Sequence, residues 1–402
     1  MMRIRLILLL FACCFCSAAI AQRTSVDTNY FEVRKGLGHF YQAVLKDKKA
    51  TIAFLGGSIT FNPGWRDKVR AYLKGKYPNT KFRFISAGIP SLGSLPHAFR
   101  LQRDILDSGK VDLLFFEAAV NDKVNGTDSL TQYLSLEGVV RHARKSNPYM
   151  DIIMMSFADP TKTADYTKGV VPGEVYRHER IAAYYGLPSI NLAKEVADKL
   201  NAKVFSWEED FVDLHPSPFG QELYYQRIKK LLRSEADKYS PTEAKIFSYQ
   251  LPKQLTKGVF ENGAYVDIKT SAYDKGWKYN PEWEPDNGQE TRPGFVNVPM
   301  LISTAPNSEL KFQFKGNAVG IAIVSGGDAG MISYRIDNGQ PKTLDLFTEW
   351  SSWLHLPWYL CLSSDLKPGK HTLTLTVSAD KNAKSKGNAV RIVHFLVNQS
   401  KQ

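Results

Sequence analysis

Cysteine is nearly missing from this sequence. Three of its four cysteines, Cys13, Cys14 and Cys16, fall in the N-terminal stretch, and Cys361 stands alone. Beyond that stretch no internal disulfide can form, so stability must come from apolar cores. Past residue 21 there is neither a Cys-x-x-Cys pair nor a His-Glu-x-x-His helix, the spacings that hold zinc, and no metal or cofactor is expected. No internal repeat is visible. Long apolar runs are also lacking. The one at the N-terminus starts at Leu6 after Arg3 and Arg5, is too short to span a bilayer, and ends in the small-x-small site Ala19-Ile20-Ala21. Residues 1–21 therefore read as a secretory signal peptide, and the protein as exported to the periplasm or beyond, with no membrane span. Cys13 after Leu10-Phe11-Ala12 weakly imitates a lipoprotein box, and lipid anchoring ranks second to simple export.

Acidic residues are outnumbered. The formal charge is +12, and losing Arg3 and Arg5 with the leader leaves +10. In a cytosolic protein that excess would suggest nucleic acid. In an exported one no nucleic-acid partner is expected, and acidic glycans or an anionic envelope surface fit better. A lysine-rich solvated surface accounts for the same charge without any specific ligand.

What the chain does have is length, 402 residues, enough for two sizeable cores. From Thr51 to about Ser234 short apolar runs alternate with amphipathic segments. Strands are expected at Thr51–Leu55, Lys81–Ile85, Val111–Glu117, Asp151–Phe157 and Leu187–Asn191. Helices are expected at Trp65–Tyr77, Pro96–Leu106, Leu130–Arg144, Gly173–Tyr185 and Pro218–Leu232. Buried strands separated by helices mean a parallel sheet covered on both faces.

Four islands punctuate that pattern. The first strand runs from Thr51 into Gly56-Gly57-Ser58, which places a serine hydroxyl at the C-terminal edge of the sheet, where such folds place ligands. The second strand ends in a small-residue loop, Ser86-Ala87-Gly88-Ile89-Pro90-Ser91-Leu92-Gly93. The third is followed by Ala119-Val120-Asn121-Asp122, and the last helix is preceded by Asp213-Leu214-His215-Pro216-Ser217. Nucleophile, oxyanion donors, general base and orienting carboxylate form the inventory for acyl transfer.

These motifs, in this order, resemble the SGNH hydrolases, the GDSL-like esterase superfamily, and in particular secreted Bacteroidetes-type members with a GGSIT start and a His-Pro loop. The resemblance covers about Thr51–Leu232. It implies a flavodoxin-like three-layer α/β/α domain with Ser58 as nucleophile, His215 as base and Asp213 as its partner. It also implies an oxyanion hole made by the Ser58 N–H, a second-block N–H at Ser91 and the Asn121 side chain. The sequence departs from the family's pattern at four places. Gly57 replaces the aspartate before the nucleophile, as in related GGSIT sequences. Ser91 stands where the family has glycine, and Ala119 where the third block has glycine. Asp213 lies two residues before the histidine rather than three, so a backbone carbonyl or Asp210 remains an alternative partner for the imidazole.

The other seven histidines lack a catalytic neighbourhood and read as structural or surface groups. Arg100 and Arg103, after the second block, read as salt-bridging helix residues, with a substrate carboxylate as the alternative.

After a short polar joint at Glu235–Pro241 the helical period disappears. Alternating segments take over at Ala264–Lys269, Leu310–Phe314, Ala318–Val324, Met331–Ile336, His371–Val377 and Val390–Leu396. Turn signals stand at Asp337-Asn338-Gly339 and Lys367-Pro368-Gly369-Lys370. An antiparallel, jelly-roll-like β-sandwich is expected. Domain limits are accordingly set at 22–240 for the hydrolase domain and 241–402 for the sandwich. Trp277, Tyr279 and Trp283, then Trp350, Trp353, Trp358 and Tyr359, either fill the sandwich core or stack on sugars. The whole reads as an exported serine esterase acting on an acylated oligo- or polysaccharide, with O-acetyl as the favoured ester. A lipid or thioester acylhydrolase on the same triad, or a non-catalytic glycan-binding protein, are its rivals.

Overall fold

A computed structural model of the chain describes residues 29–239, 247–286 and 288–400. The signal-peptide and lipoprotein readings, and the last two residues of the polar joint, lie outside the described residues.

Five runs form the expected parallel strands: β2 (Lys49–Gly56), β3 (Lys81–Gly88), β4 (Leu113–Glu117), β5 (Asp151–Ser156) and β6 (Ser189–Asn191), all largely buried except β3 at the sheet edge. A two-residue β1 (Phe31–Glu32) adds antiparallel to β6. The order is β1-β6-β5-β4-β2-β3. The chain steps from β2 outward to β3, then returns to the other side of β2 for β4. That reversal opens a crevice at the C-terminal ends of β2 and β4, the place where doubly wound sheets receive ligands.

Side chains alternate across the sheet and feed two cores. Ile52 and Phe54 join Trp65, Phe115, Phe157 and Tyr224 on one face. Ala53 and Leu55 join Leu114, Phe116, Leu134 and Val139 on the other. The expected helices form at Trp65–Lys76, Ser94–Asp104, Ser129–Ser146, Gly173–Tyr185 and Pro218–Ala236. Sequence reading missed helices at Gly38–Leu45, Pro160–Thr167 and Leu192–Asn201. The last carried a legible signal, since Asn191 caps it by accepting from Lys194 N–H and Leu192, Ala193 and Val196 form its buried face.

The second half is an antiparallel sheet structure folded into two layers. Its strands are β7 (Gly263–Val266), β8 (Ala272–Tyr273), β9 (Trp277–Trp283), β10 (Glu290–Thr291), β11 (Val298–Ser303), β12 (Glu309–Ser325), β13 (Met331–Ile336), β14 (Lys342–Asp345), β15 (Leu354–Ser363), β16 (Gly369–Val377) and β17 (Val390–Gln399). Among the described strands of this half only the short β10 pairs parallel, with β15, beside an isolated parallel bridge between Ala329 and Ala389. The segments read from sequence as two strands, 310–314 and 318–324, are one long strand, β12. Its first half pairs with β16, up to Gly316↔Gly369, and its second half with β15 and β17. The changeover sits at a register shift between Gly316 and Ala318. A Cβ at Gly316 would lie 2.5 Å from the Asn398 carbonyl, so only glycine admits the close crossing. Phe312 and Phe395 stack at 3.9 Å between the layers.

The two halves share one core. Phe260, Ala318, Ala322 and Leu396 from the second half belong to the apolar cluster that also buries Ala98, Phe99 and Leu101 of helix Ser94–Asp104. Residues 247–262 lie along the α/β half. Tyr249 Oη donates to Asp151 Oδ1 at 2.6 Å, and Leu255 N–H and Thr256 N–H donate to the buried Glu137 carboxylate at 2.6 and 2.8 Å.

A chain ended at residue 240 would expose that face of helix Ser94–Asp104, whose neighbours form the second-block loop. Such a truncation is expected to aggregate, or to lose hydrolysis of a small acetyl ester together with action on polymer. A soluble fragment with full activity on the small ester would contradict the shared core.

Candidate active site

The crevice between β2 and β4 gathers the four sequence islands. Ser58 begins a one-turn helix (Ser58–Phe61) directly after β2, and its Oγ lies 2.8 Å from His215 Nε2. His215 sits just ahead of helix Pro218–Ala236, whose start is held by Ser217: its Oγ accepts from Phe219 N–H and Gly220 N–H and donates to Asp210 O at 2.5 Å. That cap holds the loop end from which the imidazole reaches across to β2. The loop itself is strained. It follows a π-turn at Trp207–Phe211, and Val212, a β-branched residue, takes φ 76°.

Asp213 and His215 do approach despite their two-residue spacing. Asp213 Oδ2 lies 3.5 Å from His215 Nδ1, longer than a formed N–H···O bond, while Oδ1 accepts from Leu214 N–H at 2.5 Å. Both side chains are well exposed. Asp210 is placed elsewhere, its carboxylate accepting from Ser206 N–H at 2.8 Å. Among the described residues no backbone carbonyl forms a hydrogen bond to His215.

Asn121 lies in a short helix after β4 (Ala119–Val124) and is buried. Its Oδ1 occupies the space beside Gly57, where an added Cβ would come within 2.0 Å. This explains the glycine before Ser58: any side chain there would displace Asn121. Ser91, on the second-block loop, has φ 70°. A left-handed serine costs on the order of 1–2 kcal/mol that glycine would not, and two contacts hold it there. Its carbonyl accepts from Asn125 Nδ2 at 2.9 Å, and its Oγ accepts from Arg292 Nε at 3.2 Å. The N–H groups of Ser58 and Ser91 and the Asn121 amide meet no acceptor among the described residues.

Ser58, Ser91, Asn121 and His215, but not Asp213, line one cavity of about 120 Å³. Its walls include Val120, Val124 and Leu214 from the α/β half and Arg292, Trp350, Leu354 and Leu356 from the sheet half. Sequence reading gave no role to Arg292, which sits in an unremarkable Thr-Arg-Pro-Gly turn about 200 residues from the loop it touches. The tryptophans divide. Trp277 and Trp283 are core residues, Trp350 lines the cavity with its ring 5.9 Å from that of Trp358, and Trp353 is exposed.

Beneath the cavity lies a buried polar layer. Arg100 is fully buried, ion-paired to Asp104, with Nη2 donating to Gly56 O at 3.3 Å and Ala87 O at 2.5 Å. It therefore clips the ends of β2 and β3 together rather than facing substrate. Arg103 lies against the second half, its Nη1 3.0 Å from His394 Nε2. Glu117 accepts from Val120 N–H, which sets the turn that carries Asn121, and burial pushes its carboxyl up to about 7. Asp122 Oδ1 accepts from Ser94 N–H at 2.7 Å and Ser94 Oγ at 2.9 Å, joining the third block to the second. Burial raises its carboxyl to about 7 as well. His97 and His178, in the same layer, are held well below their usual range by burial. A serine within reach of an imidazole, beside three unpaired donors, is the equipment for attacking an ester carbonyl and holding its oxyanion.

Residues 54–223 match the GDSL-like Lipase/Acylhydrolase family. No curated protein matches the chain. Among solved structures, a two-domain esterase active on acetylated mannans is similar over 92% of this chain and 97% of its own, at 19% identity and a TM-score of 0.74. The same description, co-crystallised with mannopentaose, matches over the same shares at 18% identity and a TM-score of 0.73. At that identity the likeness concerns the fold, and it extends over both halves.

Gly57→Ala should force Asn121 aside and cost turnover on the order of 10²-fold, the usual loss for one oxyanion donor. Asn121→Ala should match it, and a Gly57→Ala protein with unaltered turnover of a small ester would contradict the placement. A carboxyl raised by burial favours the folded state when protonated, so its contribution is full below about pH 4 and declines as pH rises to about 7. Asp122→Asn keeps the Oδ1 acceptor and removes that titration. Its melting temperature relative to the unaltered protein should therefore climb between pH 5 and pH 8; a difference that stays constant with pH would contradict the buried carboxyl.

Proposed function

We propose, from the premise that the α/β half is a GDSL-like acylhydrolase domain, that this protein is an exported serine esterase that removes O-acetyl groups from a carbohydrate. The observation that carries the reading is the 2.8 Å approach of His215 Nε2 to Ser58 Oγ inside a cavity that both halves line.

In this reading His215 takes the proton from Ser58 as Oγ attacks the ester carbonyl. The negative oxygen is held by the Ser58 and Ser91 N–H groups and by the Asn121 amide. As the tetrahedral adduct collapses, the imidazolium returns its proton to the sugar oxygen, which leaves as the alcohol. Water, deprotonated by the same imidazole, then attacks the acyl-serine, and acetate departs with Ser58 regenerated. Asp213 stabilises the imidazolium from 3.5 Å, a contact that shortens as the ring becomes charged. Metal chemistry has no part in this scheme.

Cavity size supports the acetyl group. About 120 Å³ walled by Val124, Leu214, Leu354 and Leu356 accommodates a two-carbon acyl chain against apolar side chains. A lipid acylhydrolase would want more room. Trp350 beside the cavity offers an aromatic face for a pyranose ring. The similar two-domain esterase acts on acetylated mannans, which supports an acetylated glycan here. Export rests on residues 1–21, the division near residue 240 on the change of periodicity, and the +12 charge admits an acidic glycan as substrate.

Acetate release from a panel of acetylated glycans tests the reading, with nitrophenyl esters of increasing chain length beside it. Turnover should be greatest on acetyl esters, and Ser58→Ala should lower it by on the order of 10⁶-fold. Binding of glycan without acetate release would favour a glycan-binding protein, and rising activity on long chains a lipid acylhydrolase; either result would overturn the proposal.

A further inference from the structure

Ser91 is an L-residue held at φ 70° on a loop that lines the cavity, and its N–H meets no acceptor among the described residues. The side chain that reaches it comes from the other half of the protein. Arg292 follows β10, which is fixed by its pairing with β15 at Glu290↔Leu354 and Thr291↔His355. The same turn is tied down a second time: Phe295 N–H donates to Arg292 O at 3.1 Å, and the Phe295 ring is buried in one apolar cluster with Leu92, the neighbour of Ser91. Arg292 makes no ion pair among the described residues, and its Nε is given to Ser91 Oγ. A glycine at position 91 would offer no hydroxyl to hold and would need no help to keep this backbone conformation.

We infer that Arg292 is a positioning residue for the ester hydrolysis proposed above, on which this inference rests: through Ser91 Oγ it keeps the Ser91 N–H turned toward the oxyanion. The sheet half thereby completes the oxyanion hole of the α/β half. Serine at this position and arginine at 292 act as a pair, the hydroxyl and its donor together doing what glycine does through backbone freedom.

The test is a double-mutant cycle on a nitrophenyl acetate, which is too small to need the glycan-binding surface. In the Ser91 protein, Arg292→Ala should lower kcat by about 10²-fold, the cost of one oxyanion donor, with KM changed by less than about twofold. Arg292→Lys, which still donates, should recover part of that loss. In a Ser91→Gly background the same Arg292→Ala change should alter kcat by less than about threefold. A folding defect from losing Arg292 would appear in both backgrounds, so background dependence separates positioning from structure. Equal losses in the two backgrounds, a loss confined to KM, or no loss at all would overturn the role of Arg292 alone. A parent protein that fails to turn over the ester would overturn the esterase reading and this role together.

Discussion

The site depends on how closely two loops approach across the sheet. β2 and β4 are hydrogen-bonded neighbours, and the residues that follow them must pass within contact distance for Ser58 and Asn121 to face one cavity. Gly57 makes this feasible by leaving its Cβ position to the Asn121 side chain. The ends of β2 and β3 are clipped from below by the buried Arg100, and Asp122 ties the β4 loop to the start of helix Ser94–Asp104. A guanidinium and two carboxyls buried this deeply are costly in desolvation. Their hydrogen bonds go mostly to backbone groups of the loops that bear the candidate catalytic atoms, so that cost is spent on fixing geometry where the chemistry needs it.

The second half is part of that geometry rather than an appendage. It shares an apolar cluster with helix Ser94–Asp104, supplies four walls of the cavity, and touches Ser91 through Arg292. Walls drawn from a second sheet partly screen the cavity from water, which would strengthen hydrogen bonds to the oxyanion in the proposed reaction. His215 reaches the cavity from a loop with a strained Val212, and its contact with the exposed Asp213 carboxylate is at 3.5 Å.

Much of this was legible in the sequence. The parallel strands announced themselves as short runs rich in apolar residues; Ser58, Ser91 and Asn121 fell just after strands and His215 just ahead of the last helix, because each motif interrupts a periodic pattern. What periodicity could not carry was contact between distant segments. Residues 310–314 and 318–324 looked like two strands because Gly316 interrupts the alternation, and only the pairing with β15, β16 and β17 joins them. The aromatic stretch around Trp358 hid strand β15, whose alternation is masked by bulky residues on both faces. Arg292 had no local signal, since its meaning lies in a serine some 200 positions away. The glycine at position 57 was visible, yet its reason became visible only once Asn121 was seen filling the space.

The central claim is that Ser58 is a nucleophile activated by His215, and covalent capture addresses it most directly. A fluorophosphonate ester should add once to the protein, the adduct should map to the peptide containing Ser58, and His215→Ala should slow labelling by several orders of magnitude. Ester hydrolysis that continues while Ser58 stays unlabelled, or a stoichiometric adduct on another residue, would contradict the account.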